Sequence, residues 1–362
     1  MPQIEIPKPE YWERSSAAVV EAGEKSAMEA ARDLRRAFQN AAAAIQRETE
    51  AFKGRHEWDG GTMSLSQVRA PLGFAEIRDF RTEVNRYISE VDRLGGFDTK
   101  YKQYLHYLSA RVRISRQEAY QANMRHAVES LYRNVNDSMT SGLSSAYSES
   151  YMHTMFYTAR GFGFQPEFSF LNPRIISTAI KQKWLGANYS DRVWQHKDDL
   201  LKSLDTTFLR GVAQGWNPRK MAQAMAGDIS TKYDRSTVSN CVRLARTEFI
   251  NIANQATVAA YKEYGVINRY MFRCTLDERT SKKCGELDGK TFPVDEAETG
   301  INMPPMHPNC RSTTIPDIDD ELVRELMKKS ERIAKDPAGK SYYVPSDMTY
   351  VEWMAENKRR SL

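Results

Sequence analysis

The sequence contains few cysteines, no long apolar run and no large excess of charge of either sign. Four cysteines among 362 residues are too few for a disulfide scaffold and indicate a reducing compartment such as the cytoplasm. No stretch approaches the roughly 20 consecutive apolar residues that a membrane-spanning helix requires, so no membrane partner is expected. Residues 1–16 lack the apolar segment of a secretory signal.

The charge balance argues against a dedicated DNA-binding domain. Lys and Arg number 52 and Asp and Glu number 47, which leaves a formal net charge of +5. DNA-binding domains usually show a stronger and more clustered basic excess. Weak nonspecific contact with DNA is compatible with this balance but is not required by it. The polar composition instead favours long, solvated helices over a deep core.

The first 160 residues are predicted to be mostly helical. Ser15–Phe52 is rich in Ala, Glu, Arg and Gln and contains no proline, which favours a helix. His56–Gly73 contains Asp-Gly-Gly and Pro-Leu-Gly and is predicted to be a loop. Further helices are predicted at Phe74–Leu94, Thr99–Ala110 and Ser115–Tyr151. A loop at Arg160–Phe164 is expected to end this half of the chain.

The second half continues with shorter helices. They are predicted at Leu171–Trp184, Asp191–Gln214, Pro218–Gly227 and Ser236–Tyr264. The last has the clearest apolar face, and Gly265 follows it at the position where helices commonly end.

Beyond Gly265 the apolar period changes from helical to alternating. Tyr270, Phe272 and Cys274 alternate with polar or flexible residues, which predicts a strand. A hairpin turn is predicted at 288–289, and further β candidates are 290–293 and 310–315. Asp319–Lys335 is predicted to be a helix, and Asp336–Leu362 a polar tail.

These patterns predict an α+β fold that is mostly α. A long helical N-terminal arm or bundle is followed by a helical domain, which carries a small irregular β unit at residues 266–316 near the C-terminus.

Short elements between Leu244 and Arg311 carry the most specific signal. In chain order they are ARTE at 245–248, DERT at 277–280, Cys284, LDG at 287–289 and PPMHPNCR at 304–311. Their order and spacing resemble the C-terminal signature of the phage Mu F-like/SPP1 gp7-like head-morphogenesis (minor capsid) proteins. The resemblance covers residues 190–316, and the N-terminal half is similar to the helical arm of this family only in character.

The sequence departs from the family pattern at two positions. Many members have a cysteine where Ser281 stands and another where Ser312 stands. Both substitutions bear on metal binding, because a structural zinc site requires four ligands.

The charged residues of the signature suggest a structural clasp. Arg246 is expected to bind the Asp277 turn with both nitrogens, while Glu248 pairs with Arg279 or Arg311. Arg246 and Glu248 are two residues apart on a helix and therefore face different directions. The predicted clasp comprises Arg246, Glu248, Asp277, Arg279, Asp288, Gly289, His307, Cys310 and Arg311.

A catalytic alternative uses the same residue types. Glu248, Asp277 and His307 could form an acid/base set with a cysteine nucleophile. The chain lacks the nucleophile-and-base signature of a known enzyme class, so no catalytic residue is predicted.

The cysteines and His307 leave two interpretations open. Cys284, His307 and Cys310 supply three zinc ligands, with Cys274 as the fourth and Asp277 as its substitute. Alternatively, Cys274 packs in the sheet, His307 is hydrogen-bonded, and the other two thiols lie close together in the reduced state. The prediction is no cofactor, with a structural zinc ion as the alternative.

The resemblance implies a division into a helical interaction arm at 1–160, a Mu F-like head-morphogenesis domain at 165–316, and a C-terminal helix and polar tail at 317–362. It also implies a non-enzymatic minor capsid protein that binds the portal, supports head assembly and acts in genome packaging or ejection. Major capsid or scaffolding protein is a further expected partner, and weak nonspecific contact with packaged DNA is allowed. The expected location is the capsid interior near the portal, with the host cytoplasm during assembly.

The sequence also raises two other functions. A metal-dependent nuclease or hydrolase would use the cluster of Cys284, His307 and Cys310. A toxin carrier would have a further domain after the signature, but residues 317–362 are too few for a typical one.

Overall fold

The fold is mostly helical, with short antiparallel strands toward the C-terminus, which confirms the predicted class. The computed structural model describes residues 9–55, 64–162, 171–229, 237–317, 331–336 and 340–360. The chain divides into two compact units. The first comprises Met1–Ala30, Thr140–Tyr189 and Arg243–Leu362, and the second comprises Ala31–Met139 and Ser190–Val242. The division of the sequence at residues 160 and 316 stays a prediction.

The N-terminal helices are close to those predicted. They are α1 (Pro9–Arg55), α2 (Leu65–Arg69), α3 (Phe74–Leu94), α4 (Thr99–Ala110) and α5 (Arg116–Phe162). Helix α2 lies where a loop was predicted, and Ser64 and Gln67 form a capping box at its start. The predicted positions 56–63 lie outside the described residues.

Helix α5 runs past its predicted end and through the predicted loop at Arg160. Phe162 packs against the ring of Trp12 at 5.4 Å between centroids and stacks on Tyr264 at 5.7 Å. Burial of this aromatic ring stabilises the last turn of the helix and offsets the low helix propensity of the adjacent Gly161. The loop prediction was therefore wrong at residues 160–162, and residues 163–164 lie outside the described chain.

The following helices are α6 (Pro173–Lys181), α7 (Tyr189–Ala213), α8 (Pro218–Ile229) and α9 (Thr237–Tyr264). Helix α9 is buried on most of its surface within the first unit, from Leu244 to Tyr264. Its buried polar residues include Asn254 and Thr257, which bond to backbone oxygens one turn earlier at 2.9 Å each. Helix α9 is thus the central support of the first unit.

Strands β1 (Arg269–Arg273), β2 (Thr291–Pro293) and β3 (Thr313–Asp317) form a sheet in the order β2-β1-β3, with both pairs antiparallel. The backbone N–H of Gly289 donates to the carbonyl of Phe272 at 2.9 Å, and its φ of 79° suits glycine. This arrangement confirms the predicted turn at 288–289. The short helix α10 (Lys282–Leu287), between β1 and β2, was not predicted.

The predicted helix at Asp319–Lys335 was wrong where the structure describes it. Residues Glu331–Lys335 form strand β4, which pairs with β5 (Ser341–Pro345), and helix α11 (Tyr350–Arg360) follows. Arg332 and Ala334 are buried while their neighbours are more exposed, so inward packing of alternate residues outweighs the helix propensity of this segment. Residues 319–330 lie outside the described chain.

In the second unit, an apolar core forms between α3, α4 and the start of α5. Beside it, the buried Lys197 ammonium group contacts Glu129 at 2.9 Å and Asp98 at 3.1 Å. None of the described helices is both long and apolar enough to cross a membrane.

Gly142 on α5 gives a direct test of the packing around α9. A Cβ atom at this position would lie 2.8 Å from the buried ring of Phe249, so we expect Gly142→Ala to destabilise the fold by about 1–3 kcal/mol. Gly227→Ala is the matched control, because nothing lies within 4 Å of the added atom. That control should gain roughly 0.5–1 kcal/mol from helix propensity. Chemical denaturation measures both changes, and equal effects would contradict the packing assignment.

Candidate functional site

The candidate site lies in the first unit, around a shared apolar cluster. The cluster joins β1, α10, the loop before β3, the β4–β5 pair and α11. Its buried members are Phe272, Cys274, Leu276, Cys284, Met306, Cys310, Ala334, Val344 and Trp353. The signature residues therefore fold onto the C-terminal segment, which the sequence predicted as a helix and a polar tail.

Asp288 and Arg332 form a buried ion pair at the centre of this region. Their side chains are 0% and 5% exposed, and the Arg332 Nη1 atom lies 2.9 Å from Asp288 Oδ2. Asp288 also accepts the backbone N–H groups of Cys274 and Tyr350, each at 2.9 Å. Arg332 donates to the carbonyls of Cys274 at 2.6 Å and Met348 at 3.2 Å. The pair thus ties together the end of β1, the turn before β2, strand β4 and the start of α11.

Asp277 forms the second charged contact of the signature. Arg311 binds both of its carboxylate oxygens, at 2.5 and 2.7 Å. The backbone N–H of Arg279 adds a bond at 3.0 Å. Burial alone would raise the pKa of Asp277, but the hydrogen bonds and charge of Arg311 outweigh it and hold the pKa below its usual value. The two-nitrogen clamp exists, but Arg311 supplies it where Arg246 was predicted.

The helix-borne signature residues take other roles. Glu248 is buried and accepts bonds from the indole N–H of Trp184, at 3.1 and 3.2 Å to its two oxygens. Arg246 is exposed and lines a cavity of about 520 Å³ together with His307 and Cys310. Thr247 lies between Arg246 and Glu248 in the sequence, and its hydroxyl accepts the backbone N–H of Asn309 at 3.0 Å. Helix α9 therefore holds the 304–311 loop through Thr247, which sequence reasoning did not single out.

Cys284, His307 and Cys310 converge at one point. Cys284 Sγ lies 3.3 Å from His307 Nε2 and 3.7 Å from Cys310 Sγ. Both thiols are buried and His307 is half-buried. Hydrogen bonding between the thiols lowers the pKa of Cys310 and raises that of Cys284, and burial raises the pKa of Cys284 further. Three of the predicted metal ligands are thus brought together.

Cys274 does not join this group. It is absent from the described residues whose donor atoms converge with those of Cys284. Burial and the neighbouring Asp288 carboxylate raise the pKa of the Cys274 thiol. Cys274 packs in the core at the end of β1, as the non-metal interpretation predicted for this residue.

Residues 202–315 match the family described as Phage Mu protein F like protein. This region belongs to the Mu F-like family. The match confirms the family predicted for this region.

Two curated relatives share parts of the chain, including "NAD(+)--arginine ADP-ribosyltransferase EFV" from Enterococcus faecalis. That protein is 25% identical over 204 residues, which cover 53% of this chain and 39% of the relative. A Haemophilus influenzae protein named only as uncharacterized is 24% identical over 139 residues, or 38% of this chain and 30% of the relative. The chain therefore spans well under two thirds of either relative. No solved structure matches it significantly.

The Mu F-like region also depends on residues that the sequence did not reveal. Arg332 lies in a segment with helix-forming composition, so nothing indicated that it would pair with Asp288. Arg273 on β1 donates to Glu13 on α1 and to the carbonyl of Ser346 at 2.6 Å. The alternation of apolar residues in β1 predicted a strand that includes Arg273, but it placed Arg273 on the more polar face and indicated no partner for it.

Removal of Arg332 is expected to be costly. Arg332→Met leaves the Asp288 carboxylate buried without its counter-ion, so we expect a loss of about 3–5 kcal/mol in the free energy of unfolding. Arg279→Met is the matched control, because the Arg279 side chain is 77% exposed, and should change stability by less than about 1 kcal/mol. Urea denaturation followed by circular dichroism distinguishes the two. Similar losses in both variants would contradict the central role of the Asp288–Arg332 pair.

The Asp277–Arg311 contact predicts a pH dependence. Asp277→Asn should reduce stability by about 1–3 kcal/mol at neutral pH, because it removes the charged acceptor of Arg311. Folding lowers the pKa of Asp277 below the ordinary aspartate pKa of 3.8. The contact with Arg311 therefore stabilises the fold fully above pH 3.8, and this stabilisation is lost as the pH falls through the pKa of the folded state. The difference between wild type and variant should therefore shrink below pH 3.8. A constant difference across denaturation curves from pH 7 to pH 3 would argue against this contact.

Proposed function

We propose that this chain is a phage minor capsid protein that binds the portal from within the head and supports head assembly. The observation that carries the proposal is the family match over residues 202–315, together with the use of the signature residues as internal braces. On this proposal the protein resides in the capsid interior near the portal and acts in genome packaging or ejection.

The contacts of the signature acids favour a structural role. Asp277 is held by Arg311, Asp288 by Arg332, and Glu248 by the indole of Trp184. A general acid or base must present its carboxyl group to a substrate within hydrogen-bonding distance. Here the same groups connect segments that are distant in sequence, which supports a rigid assembly module.

Partner binding is assigned to exposed apolar residues of the predicted arm. Phe74 at the start of α3 is 89% exposed, and Val112 just after α4 is 77% exposed. The backbone bond between Leu72 and Ile114, at 2.8 Å, holds their two segments together. Exposed apolar residues on neighbouring segments are typical of surfaces that bury area in a complex. We assign this surface to the portal.

Co-expression with the portal protein encoded by the same phage or prophage tests this proposal. We expect the two proteins to co-purify, and Val112→Ser to reduce the recovered complex while leaving the fold intact. Val351→Ser is the matched control, because Val351 is also exposed, at 61%, but lies on α11. Absence of a complex with the wild-type chain would overturn portal binding. Equal loss in both variants would move the binding surface away from Val112.

A metal-dependent nuclease or hydrolase is the second candidate. It draws on the cavity of about 520 Å³ that reaches His307 and Cys310. DNA cleavage in the presence of a divalent metal, lost in His307→Ala, would support it. The transferase activity named for the Enterococcus relative forms no part of either proposal, because the match covers 39% of that protein.

A further inference from the structure

We propose that Cys284, His307 and Cys310 bind one zinc ion as a structural site within the Mu F-like region. Their donor atoms all lie within 4.8 Å of one another. Thiolate sulfur and imidazole nitrogen are the preferred ligands of structural zinc. The inference concerns the region's own stability and does not depend on portal binding.

The spacing of the donor atoms matches tetrahedral coordination. With Zn–S distances of about 2.3 Å, two sulfurs of a tetrahedral site lie about 3.8 Å apart. The Sγ atoms of Cys284 and Cys310 are separated by 3.7 Å. With a Zn–N distance of about 2.0 Å, sulfur and nitrogen lie about 3.5 Å apart, and Cys284 Sγ is 3.3 Å from His307 Nε2. Two of the three separations are thus close to tetrahedral values, and the third, between Cys310 Sγ and a ring nitrogen of His307, is within 4.8 Å.

The His307 ring is already in the tautomer that a metal requires. Its Nδ1 atom lies 2.9 Å from the carbonyl oxygen of Pro308. A carbonyl only accepts hydrogen bonds, so Nδ1 carries the proton and the lone pair of Nε2 points toward the thiols. Metal-binding histidines are commonly oriented by this kind of bond from the other ring nitrogen.

Local structure holds the two thiols in place. The Ser281 side chain caps α10 by accepting the N–H of Cys284 at 3.2 Å, and the N–H of Cys310 donates to the carbonyl of His307 at 3.1 Å. The buried Ser312 side chain lies beside both thiols and lowers the pKa of each. We assign the fourth coordination position to the oxygen of Ser312.

Zinc binding would exchange a thiol contact for a covalent cross-link. The two thiols release their protons to solvent, and the resulting thiolates neutralise the charge of the ion, so the buried site carries no net charge. The ion joins α10 to the loop before β3, which are 26 residues apart at Cys284 and Cys310. Metal binding should therefore raise the unfolding temperature of the chain.

The test uses the full-length chain, stripped of metal with a chelator under reducing conditions. Addition of Co²⁺ should give the absorption bands of a tetrahedral site with thiolate ligands, and zinc should displace it at about one equivalent per chain. Cys284→Ser and His307→Ala should abolish the thiolate-rich spectrum. Cys274→Ser is the matched control, because this buried cysteine of the same core lies outside the cluster, and it should retain the site.

Three outcomes would overturn the proposal: no tetrahedral Co²⁺ spectrum in the wild-type chain, equal loss in Cys274→Ser, or a disulfide between Cys284 and Cys310 that persists under reducing conditions. Circular dichroism of each variant separates loss of the site from loss of the fold.

Ser312→Cys provides a gain-of-function test that does not rely on disruption. A third thiolate, in place of the serine oxygen, should tighten zinc binding by about tenfold or more, and unchanged or weaker binding would contradict the assignment of the fourth position.

Discussion

The first unit depends on one buried ion pair, between Asp288 and Arg332. Two charges with almost no solvent exposure are costly to bury, and they are tolerated because backbone groups of Cys274, Met348 and Tyr350 add hydrogen bonds to the pair. Asp288 alone accepts from β1 and from the start of α11. The LDG turn therefore serves as a junction in the fold, since Gly289 permits the turn and Asp288 accepts hydrogen bonds from the segments around it. The sheet, the β4–β5 pair and the last helix share this anchor.

A second layer of contacts fixes the loop that returns to the sheet. Arg311 binds Asp277, and Thr247 on α9 receives the N–H of Asn309, whose φ of 59° places it in the left-handed region. Asparagine tolerates this conformation better than most residues. The loop is held from both sides, by the DERT turn and by the central helix. This explains how motif elements that are as much as 62 residues apart, at Thr247 and Asn309, form a single structural device.

Much of the helical framework could be predicted from the sequence, because its signals are local. Helices α3 and α4 begin and end at the predicted residues, where glycine and aspartate mark the boundaries. The errors arise where distant contacts decide the structure. Phe162 extends α5 through aromatic packing, and Arg332 belongs to a strand because its charge pairs with Asp288. No local pattern records either partner.

The candidate site shows the same contrast between residues that a sequence motif marks and partners that only the fold determines. The resemblance drew attention to Asp277, Asp288 and Arg311, which form buried charged contacts, but not to Arg332. The structure also places Cys284, His307 and Cys310 together. Which arginine binds Asp277 could not be inferred, because Arg246 and Arg311 are chemically equivalent partners at the level of sequence. Position decides between them: Arg246 lies on an exposed face of α9, whereas Arg311 directly follows the buried Cys310 and is itself partly buried.

The ion pairs also bear on what a metal would contribute. The classical zinc-dependent domains lack a sufficient core and unfold without their ion. Here an apolar cluster and two charged braces already surround Cys284 and Cys310. A zinc ion would add a cross-link to a region that is folded by other means, so its loss should lower stability without abolishing the fold. Replacement of a family cysteine by serine at positions 281 and 312 is tolerable for the same reason, since the braces hold the loop whichever ligands remain.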